Sequence, residues 1–136
     1  MRIVLDTNVL VAAFIAHGTC NELLEHCALR HVIVLSNYIL DELRAVLSEK
    51  FDFNTAECRE VLTLLRSRCV LVQPARLKSP GCSDQDDDPV IGTAVAGNCD
   101  CLVTGDKVLQ KLKVYGQTAI VFPGDFWRFE EGKAYH

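Results

Sequence analysis

Acidic residues lie at four points of the chain where they could act together on a metal ion. Asp6 directly follows the apolar run RIVL, and Asp106 closes the segment CDCLVTGD. Glu42 lies in the helical pattern NYILDELRAVLSEKF, and the acidic run DQDDD occupies 84–88. Carboxylates crowded within a few ångströms repel one another by several kcal/mol per pair at intermediate dielectric. A cation must offset that charge, and oxygen ligands without histidine or cysteine suit Mg²⁺ or Mn²⁺.

Each acid also has a simpler structural explanation. Asp6 and Asp106 could each cap the helix that follows, because a carboxylate there accepts hydrogen bonds from free backbone N–H groups. Glu42 could be a solvated helix residue, and the run 84–88 could be a solvated loop ending in a helix cap. Glu42 nevertheless lies one residue from the apolar stripe of its helix, whereas Asp41 points further out. We therefore expect Glu42 to reach the edge of a site and Asp41 to face water.

The segments around these acids predict a regular alternation of strands and helices. Apolar runs typical of buried strands lie at 2–5, 31–36, 70–74, 99–106 and 117–123. Helical periodicity spans 8–16, 21–30, 37–51, 55–68, 89–98 and 107–116. The alternation predicts an α/β fold, a three-layer α/β/α sandwich around a central parallel sheet of four to five strands. Because ligands bind at the carboxyl ends of such strands, Asp6 and Asp106 fall at the expected edge.

The composition is that of a single globular domain over 1–136. Hydrophobic residues make up 49% and charged residues 24% of the 136 residues, which is enough for one sizeable core. The net charge of −4 gives no general attraction to nucleic acid, so such a partner would need a local basic patch. Arg44 near Glu42 and Lys107 after Asp106 are candidates, although a solvated helix face explains both equally well.

The sequence predicts a cytoplasmic location. No apolar run reaches the ~18 residues of a membrane span, and the N-terminal apolar segment lacks a small-residue cleavage site. The seven cysteines include no C-x-x-C, so a zinc site is disfavoured and we expect small buried thiols in a reducing compartment. The four histidines, which fall outside the acidic motifs, are interpreted as structural or surface residues: His17, His26, His31 and His136.

Taken together, these motifs resemble the PIN domain family. DTN after an apolar strand, a glutamate in the helix after the second strand, an acid opening a later helix, and TGDK after the fourth strand occur in the order and spacing of that family. They are most similar to the bacterial and archaeal subgroup of toxins from toxin–antitoxin pairs, over about residues 1–126. The resemblance implies a compact α/β/α sandwich and Mg²⁺- or Mn²⁺-dependent nuclease activity, mostly on single-stranded RNA.

The resemblance also implies roles for individual residues. Carried over position by position, it makes Asp6, Glu42 and Asp106 the first, second and fourth catalytic acids. Asp6 and Asp106 would bind the metal. Thr104 would be the small hydroxyl residue of the T-x-D motif, and Asn8 the polar residue that supports the geometry of Asp6.

The third acid of the pattern has two candidates. The family's acid-x-x-apolar spacing fits Asp87 and Asp88 alike. Helix phase places Asp87 on one face with Ile91 and Ala94. Subgroup sequences typically read D-P-D-D-N-K-F here, which aligns with DQDDDPV and also points to Asp87. We therefore predict Asp87 as the third catalytic and metal-binding acid, with Asp88 as a supporting helix cap.

By this resemblance the chain is a metal-dependent endoribonuclease that hydrolyses RNA without a covalent intermediate. A small antitoxin and a second copy of the chain are the implied protein partners. A phosphohydrolase of the haloacid dehalogenase type is less consistent, since it needs a second Asp where Asn8 stands. A receiver domain would keep an acidic pair at its first strand. The remaining alternative is a catalytically inactive PIN-like module that binds RNA or a protein.

Overall fold

A six-stranded sheet forms the centre of the computed structural model, which describes residues 1–77 and 88–135. The strands are Arg2–Leu5 (β1), Val32–Leu35 (β2), Val70–Leu71 (β3), Cys101–Val103 (β4), Val114–Tyr115 (β5) and Thr118–Val121 (β6). The helices are Thr7–Ile15 (α1), Thr19–Arg30 (α2), Asn37–Phe51 (α3), Thr55–Arg68 (α4), Asp88–Ala96 (α5), Lys107–Gln110 (α6) and Phe126–Glu130 (α7). Strand and helix alternate along most of this order, as the periodicity predicts.

The strand order is β3-β2-β1-β4-β6-β5, and β1 therefore lies inside the sheet between β2 and β4. All pairings from β3 to β6 are parallel, and only β5 runs antiparallel to β6. The predicted α/β architecture is confirmed, but the sheet has six strands rather than the predicted four to five, because the antiparallel strand β5 is added beside β6. The polypeptide crosses over between β1 and β4, so the carboxyl ends of these two strands lie side by side at one edge of the sheet.

The strand β5 corrects one prediction. The segment 107–116 was expected to form a single helix, but α6 ends at Gln110 and the chain turns back into a short hairpin. Lys113 adopts a left-handed conformation at φ 61°, and Gly116 does so at φ 59° in the turn between β5 and β6. Glycine takes such a conformation at little cost, which is why the reversal occurs there.

Helices cover the sheet on both faces. Consecutive residues of β1 point to opposite faces, yet Ile3, Val4 and Leu5 are all fully buried. The same holds for β2, where Val34 and Leu35 are fully buried. Strands that are apolar and buried on both sides are typical of parallel sheets in layered α/β proteins. The core thus holds β1 rigidly, and with it the residue that follows the strand.

Polar side chains fix the starts of the helices. Ser36 accepts a hydrogen bond from the Ile39 N–H at the start of α3. Asn54 and Glu57 form a reciprocal capping box at the start of α4. Such caps satisfy backbone N–H groups that have no partner within the helix, and each contributes about 1 kcal/mol. The position of α3, which carries Glu42, is therefore defined from its first turn.

The described cysteines are free thiols. Cys27, Cys58, Cys99 and Cys101 are buried, as expected of small hydrophobic residues. Burial raises the pKa of Cys27 and Cys99 to about 12. Separately, none of the helices in the described part of the chain combines the length and apolar character that crossing a membrane requires.

Candidate active site

The predicted site residues meet where β1 and β4 end. Leu5 of β1 lies opposite Val103 of β4, so Asp6 and Thr104 leave the sheet next to each other. The Asp6 N–H continues the strand pairing by donating to the Val103 carbonyl at 2.9 Å. Two residues far apart in sequence are thus brought together by the backbone alone, before any side chain contributes.

Asp6 is held by hydrogen bonds to both of its carboxylate oxygens. Its side chain is buried, with 4% of the residue exposed. Oδ1 accepts from the Thr7 N–H at 2.7 Å, which caps α1. Oδ2 accepts from the Thr104 hydroxyl at 2.7 Å and from the Asn8 side-chain amide at 3.1 Å. Asp6 is therefore a helix cap and the centre of a polar network at once.

Thr104 and Asn8 connect Asp6 to the second strand end. The fully buried Thr104 hydroxyl also accepts from the Asp106 N–H at 3.0 Å. The side-chain oxygen Oδ1 of Asn8 accepts from the Gly105 N–H at 2.8 Å. A side chain on Gly105 would place its Cβ 3.3 Å from Asn8 Oδ1, which is a tight approach. The supporting roles predicted for Thr104 and Asn8 stay predictions, but both side chains bond Asp6 directly.

The electrostatics of Asp6 leave its negative charge poorly compensated. Burial raises its pKa above the ordinary value, and the nearby Glu42 carboxylate acts in the same direction. Hydrogen bonds from Thr104, Thr7 and Asn8 lower it, but only in part. The Thr7 hydroxyl beside it is buried and has no hydrogen-bond partner within the described residues. An added cation at this point would stabilise the ionised carboxylate.

Glu42 and Asp41 differ as the helix pattern predicts. Glu42 is half-buried on α3 and close enough to Asp6 to raise its pKa, whereas Asp41 is exposed. Helix α3 follows β2, which pairs with β1, and α3 packs against α1. The glutamate therefore approaches Asp6 from a third element. Its role as the second catalytic acid is not tested by this proximity and stays a prediction.

Asp106 is the N-cap residue of α6 and is half-buried. Its Oδ1 accepts from the Val108 N–H at 2.8 Å, so Asp106 does cap α6. Asp106 also borders an open hollow of about 470 Å³, which Asn8 and Gly105 help to line. The hollow gives solvent and ligands access to this part of the sheet edge.

The predicted third acid lies outside the described residues. Asp87 belongs to the segment 78–87, and the side chain of Asp88 is likewise not described. The backbone of Asp88 begins α5, one residue before the predicted start at Pro89. The assignment of Asp87 as the third acid, with Asp88 as a supporting helix cap, therefore stays a prediction.

The described acids do not by themselves form a compact metal cage. Within residues 1–77 and 88–135, the carboxylate oxygens of Asp6, Glu42 and Asp106 do not all come within 4.8 Å of one another. Mg²⁺ retains several waters and is often held by only one or two carboxylates, so close contact among all three is not required. The oxygen-only donors and the uncompensated charge at Asp6 fit Mg²⁺ or Mn²⁺.

Two features of this edge were not predicted. The Ser36 hydroxyl, at the carboxyl end of β2, lies 2.8 Å from the Thr93 hydroxyl of α5, and both residues are fully buried. This pair ties α5 to the strand next to β1. The Gln110 side chain donates to the Thr104 carbonyl at 2.9 Å. Ser36 could have been found, because a polar residue directly after an apolar strand is the same signal that marked Asp6.

The predicted basic residues occupy different surroundings. Arg44 is exposed and lines a hollow of about 250 Å³ between α3 and α4, together with Arg59 and Arg66. Two residues along a helix rotate by roughly 200°, so Arg44 faces away from the side on which Glu42 approaches Asp6. Lys107 is exposed directly beside Asp106. Nucleic-acid binding by either residue stays a prediction.

Comparison with known proteins identifies the family. A family model described as PIN domain matches residues 2–108. Comparison with curated proteins gives no match. The chain is similar in fold to VapBC2 from Rickettsia felis, solved bound to a DNA fragment from their promoter, at 20% identity and a TM-score of 0.63. It is also similar to FitAcB from Neisseria gonorrhoeae, at 15% identity and a TM-score of 0.55. Each alignment covers 90% of this chain and 98% of the other. The protein with the Asp6 network at its sheet edge belongs to the PIN domain family.

Proposed function

We propose that the protein is a Mg²⁺- or Mn²⁺-dependent endoribonuclease and the toxin of a toxin–antitoxin pair. The observation that carries this proposal is the buried Asp6 carboxylate, fixed by Thr104, Asn8 and the start of α1 while its charge is left uncompensated. PIN domains are generally nucleases, which is consistent with a site built from carboxylates at the carboxyl ends of strands.

The residues have distinct parts in the proposed reaction. Asp6 and Asp106, with Asp87, would hold the ion. A divalent ion supplies positive charge to the RNA phosphate and activates water for in-line attack. Thr104 and Asn8 keep the Asp6 oxygens oriented, since each bonds Oδ2. Glu42, which is near enough to Asp6 to raise its pKa, would accept a proton from the attacking water.

An apolar groove on the surface of this chain supports the proposal of a protein partner. An apolar groove of about 350 Å³ lies between α2 and α4, lined among others by Leu29, Ile33 and Leu64. Leu29 is 79% exposed and Leu64 is 46% exposed. Large apolar side chains clustered on a surface mark interaction sites. We propose that a small antitoxin encoded beside the gene covers this groove. A homodimer of the chain stays a prediction.

Cleavage of an RNA panel by the purified protein tests the proposed activity. Structured and unstructured RNAs would be incubated with Mg²⁺, with Mn²⁺ and with EDTA. We expect cleavage of single-stranded RNA with either metal and none in EDTA. Asp6→Asn should lose the activity while the matched control Asp41→Asn, an exposed acid on α3, keeps it.

Two results would contradict the proposal. Cleavage that persists in Asp6→Asn at the wild-type rate would point to a contaminating nuclease or another site. Binding of RNA without cleavage under every metal condition would favour the alternative, a catalytically inactive PIN-like module. Co-purification with the product of a small neighbouring reading frame, and its loss in Leu29→Asp, would support the antitoxin partner independently of any cleavage.

A further inference from the structure

A second cluster of potential metal ligands lies at the opposite edge of the sheet. Nε2 of His26 is 2.6 Å from Oε2 of Glu130, and Nε2 of His31 is 2.5 Å from the same oxygen. The ligand atoms of these three residues all lie within 4.8 Å of one another. Two imidazoles and one carboxylate therefore aim at a common point.

This histidine cluster is located at the amino ends of β1 and β2. His31 directly precedes β2, and the Met1 backbone nitrogen lies 3.1 Å from its Nδ1. His26 lies in α2, and Glu130 is the last residue of α7. The acidic site, by contrast, lies at the carboxyl ends of β1 and β4. The length of a strand separates the two regions, so they are distinct.

Aromatic packing orients both imidazole rings. The His26 ring meets the Trp127 ring edge-on at a centroid distance of 4.7 Å. The His31 ring meets Phe126, which is fully buried, at 5.9 Å. Metal-binding histidines need such support, because the ring orientation decides whether the free nitrogen faces the ion. Here neighbouring side chains hold both Nε2 atoms toward Glu130 before any ion is present.

We propose that His26, His31 and Glu130 bind a divalent transition metal ion of the Zn²⁺ class. Two imidazole nitrogens with one carboxylate are a common ligand set for Zn²⁺, whereas Mg²⁺ and Mn²⁺ favour oxygen alone. With both histidines neutral, the three ligands together carry the one negative charge of Glu130; the Met1 amino group beside Nδ1 of His31 lies outside this ligand set. The side chains of His26 and Glu130 are 28% and 25% exposed, so solvent can supply the remaining ligand.

The cluster needs only a small rearrangement to accept the ion. The present nitrogen–oxygen distances are those of hydrogen bonds. Around tetrahedral Zn²⁺, ligand atoms at their usual bond lengths are roughly 3.3 Å apart. Glu130 must therefore withdraw by less than about 1 Å, while the proton on each neutral imidazole moves from Nε2 to Nδ1. At His31 the Met1 amino nitrogen, 3.1 Å from Nδ1, must then release one proton to solvent and accept a hydrogen bond from Nδ1–H. The glutamate can do so because it ends a short helix and is partly exposed.

The ion would join two parts of the chain that are separate in sequence. The family match ends at residue 108, so Glu130 and α7 lie beyond it. Bound metal would connect α7 to α2 and to the start of β2. The inferred consequence is stabilisation of the C-terminal segment, and it does not depend on nuclease activity.

Zn²⁺ and Co²⁺ titration of untagged, chelator-treated protein tests the inference. Excess Mg²⁺ in the buffer occupies oxygen ligands and competes little for imidazole. We expect one equivalent of Zn²⁺ to bind, and a Tm increase of about 5–10 °C at a concentration 100-fold above Kd. Co²⁺ should give the strong visible absorption of a four-coordinate site.

Matched variants assign the binding to this cluster. His26→Gln and His31→Gln keep a side-chain N–H that can donate to Glu130 but lose the ligand nitrogen, and should weaken binding at least about 100-fold. Glu130→Gln provides a second variant that retains an acceptor for the histidines. The control His17→Gln should bind as wild type, because His17 is exposed and is not among the residues whose ligand atoms lie within 4.8 Å of one another.

The result can overturn the inference in three ways. Folded wild-type protein that shows no Tm shift and no Co²⁺ absorption would mean that the cluster is a hydrogen-bonded contact only. Unchanged Zn²⁺ binding in the His26→Gln/His31→Gln double variant would place the ion elsewhere. Loss of Zn²⁺ binding in Asp6→Asn would place it at the acidic edge. Circular dichroism of each variant separates loss of ligand from loss of fold.

Discussion

Asp6 and Glu130 are carboxylates at opposite edges of one sheet, and their pKa values shift in opposite directions. Burial raises the pKa of Asp6, the Glu42 charge acts in the same direction, and three hydrogen bonds do not reverse the shift. Burial also acts to raise the pKa of Glu130, but hydrogen bonds from His31 and His26, together with their charges, outweigh it and lower the pKa. The depth of the carboxylate and the charge of its partners decide the difference.

The two carboxylates differ in the charge of their neighbours. Asp6 lies at the carboxyl ends of β1 and β4 (the carboxyl edge), and Glu130 lies at the amino ends of β1 and β2 (the amino edge). Glu130 receives positive or proton-donating partners from the protein itself, so it is stable as an anion without an ion. Asp6 receives neutral donors and a negative neighbour, so a cation from outside would contribute more there. At both edges the hydrogen bonds orient the carboxylate. At Asp6 the donors are neutral and leave its charge unbalanced, whereas at Glu130 the two histidines balance the charge when they are protonated.

Replacing Asp106 separates helix capping from metal binding at the carboxyl edge, and we expect the largest effect here. Asparagine caps a helix about as well as aspartate, so Asp106→Asn should leave the melting temperature nearly unchanged. If Asp106 is a metal ligand, Mn²⁺-dependent RNA cleavage should fall about 100-fold or more, as for loss of other key electrostatic groups in active sites. Single-turnover cleavage and a thermal melt measure the two effects. Full activity would mean that Asp106 is only a cap.

Thr104 tests whether orientation of Asp6 matters to activity. Thr104→Val keeps the shape of the side chain but removes the hydroxyl that donates to Asp6 and accepts from the Asp106 N–H. We expect a loss of about 10–100-fold in cleavage, typical of residues that position a metal ligand. Thr104→Ser restores the hydroxyl and should restore most of the activity. Equal losses in both variants would indicate a packing effect instead.

Buried thiols make the amino edge sensitive to alkaline pH. Cys99 and Cys101 are fully buried near the start of β4, and burial raises the pKa of both, to about 12 for Cys99. The unfolded thiols ionise above their ordinary pKa of 9.0, while the native ones stay protonated. The free energy of unfolding should therefore fall as pH rises above 9, by about 1 kcal/mol per thiol at one unit higher.

Urea unfolding at pH 8 and pH 10 measures this effect. Cys101→Ala removes one of the thiols and should show a smaller loss of stability between the two pH values than wild type. The comparison of slopes is unaffected by any constant cost of the substitution itself. An unchanged difference would show that Cys101 ionises in the native protein as easily as in the unfolded one.

The smallest expected effect concerns Arg44, which lies on neither edge. If the hollow between α3 and α4 contacts the RNA backbone, Arg44→Ala should weaken RNA binding severalfold for all sequences. The slope of log K against log salt concentration should decrease by about 0.7, the value for one contact with single-stranded nucleic acid. Lys50→Ala, an exposed cation elsewhere on α3, is the control. Equal effects of the two variants would mean that Arg44 contributes only to the general electrostatic attraction of RNA and makes no specific contact.

The carboxyl edge could be predicted from sequence because its signal is local. An acid directly after an apolar strand indicates both the strand end and the position of the side chain, as for Asp6 after β1. Asp106 was predicted in the same way, although β4 ends three residues earlier, at Val103. The helix phase that separated Glu42 from Asp41 is equally local, and the structure has the former half-buried and the latter exposed. The Thr104–Asp6 bond required only that β1 and β4 be neighbours.

The amino edge could not be predicted in the same way. His26, His31 and Glu130 are linked only by packing of α7 against α2, and no spacing rule connects residues so far apart in sequence. Strand β5 was also not predicted, because the segment 107–116 has enough apolar residues for a helix. The sequence nevertheless contains a signal for the turn between β5 and β6, because Gly116 follows the strand-favouring residues Val114 and Tyr115.

The two outermost strands of the sheet also bear on how the protein behaves at high concentration. Within residues 1–77 and 88–135, the edge strands β3 and β5 each contain only two residues, so each of these strands exposes few backbone N–H and C=O groups. Another chain needs a longer exposed edge strand to pair with it as a further strand of the sheet. Although the interior strands of the sheet are rich in valine, leucine and isoleucine, the short edge strands disfavour growth into ordered β-aggregates.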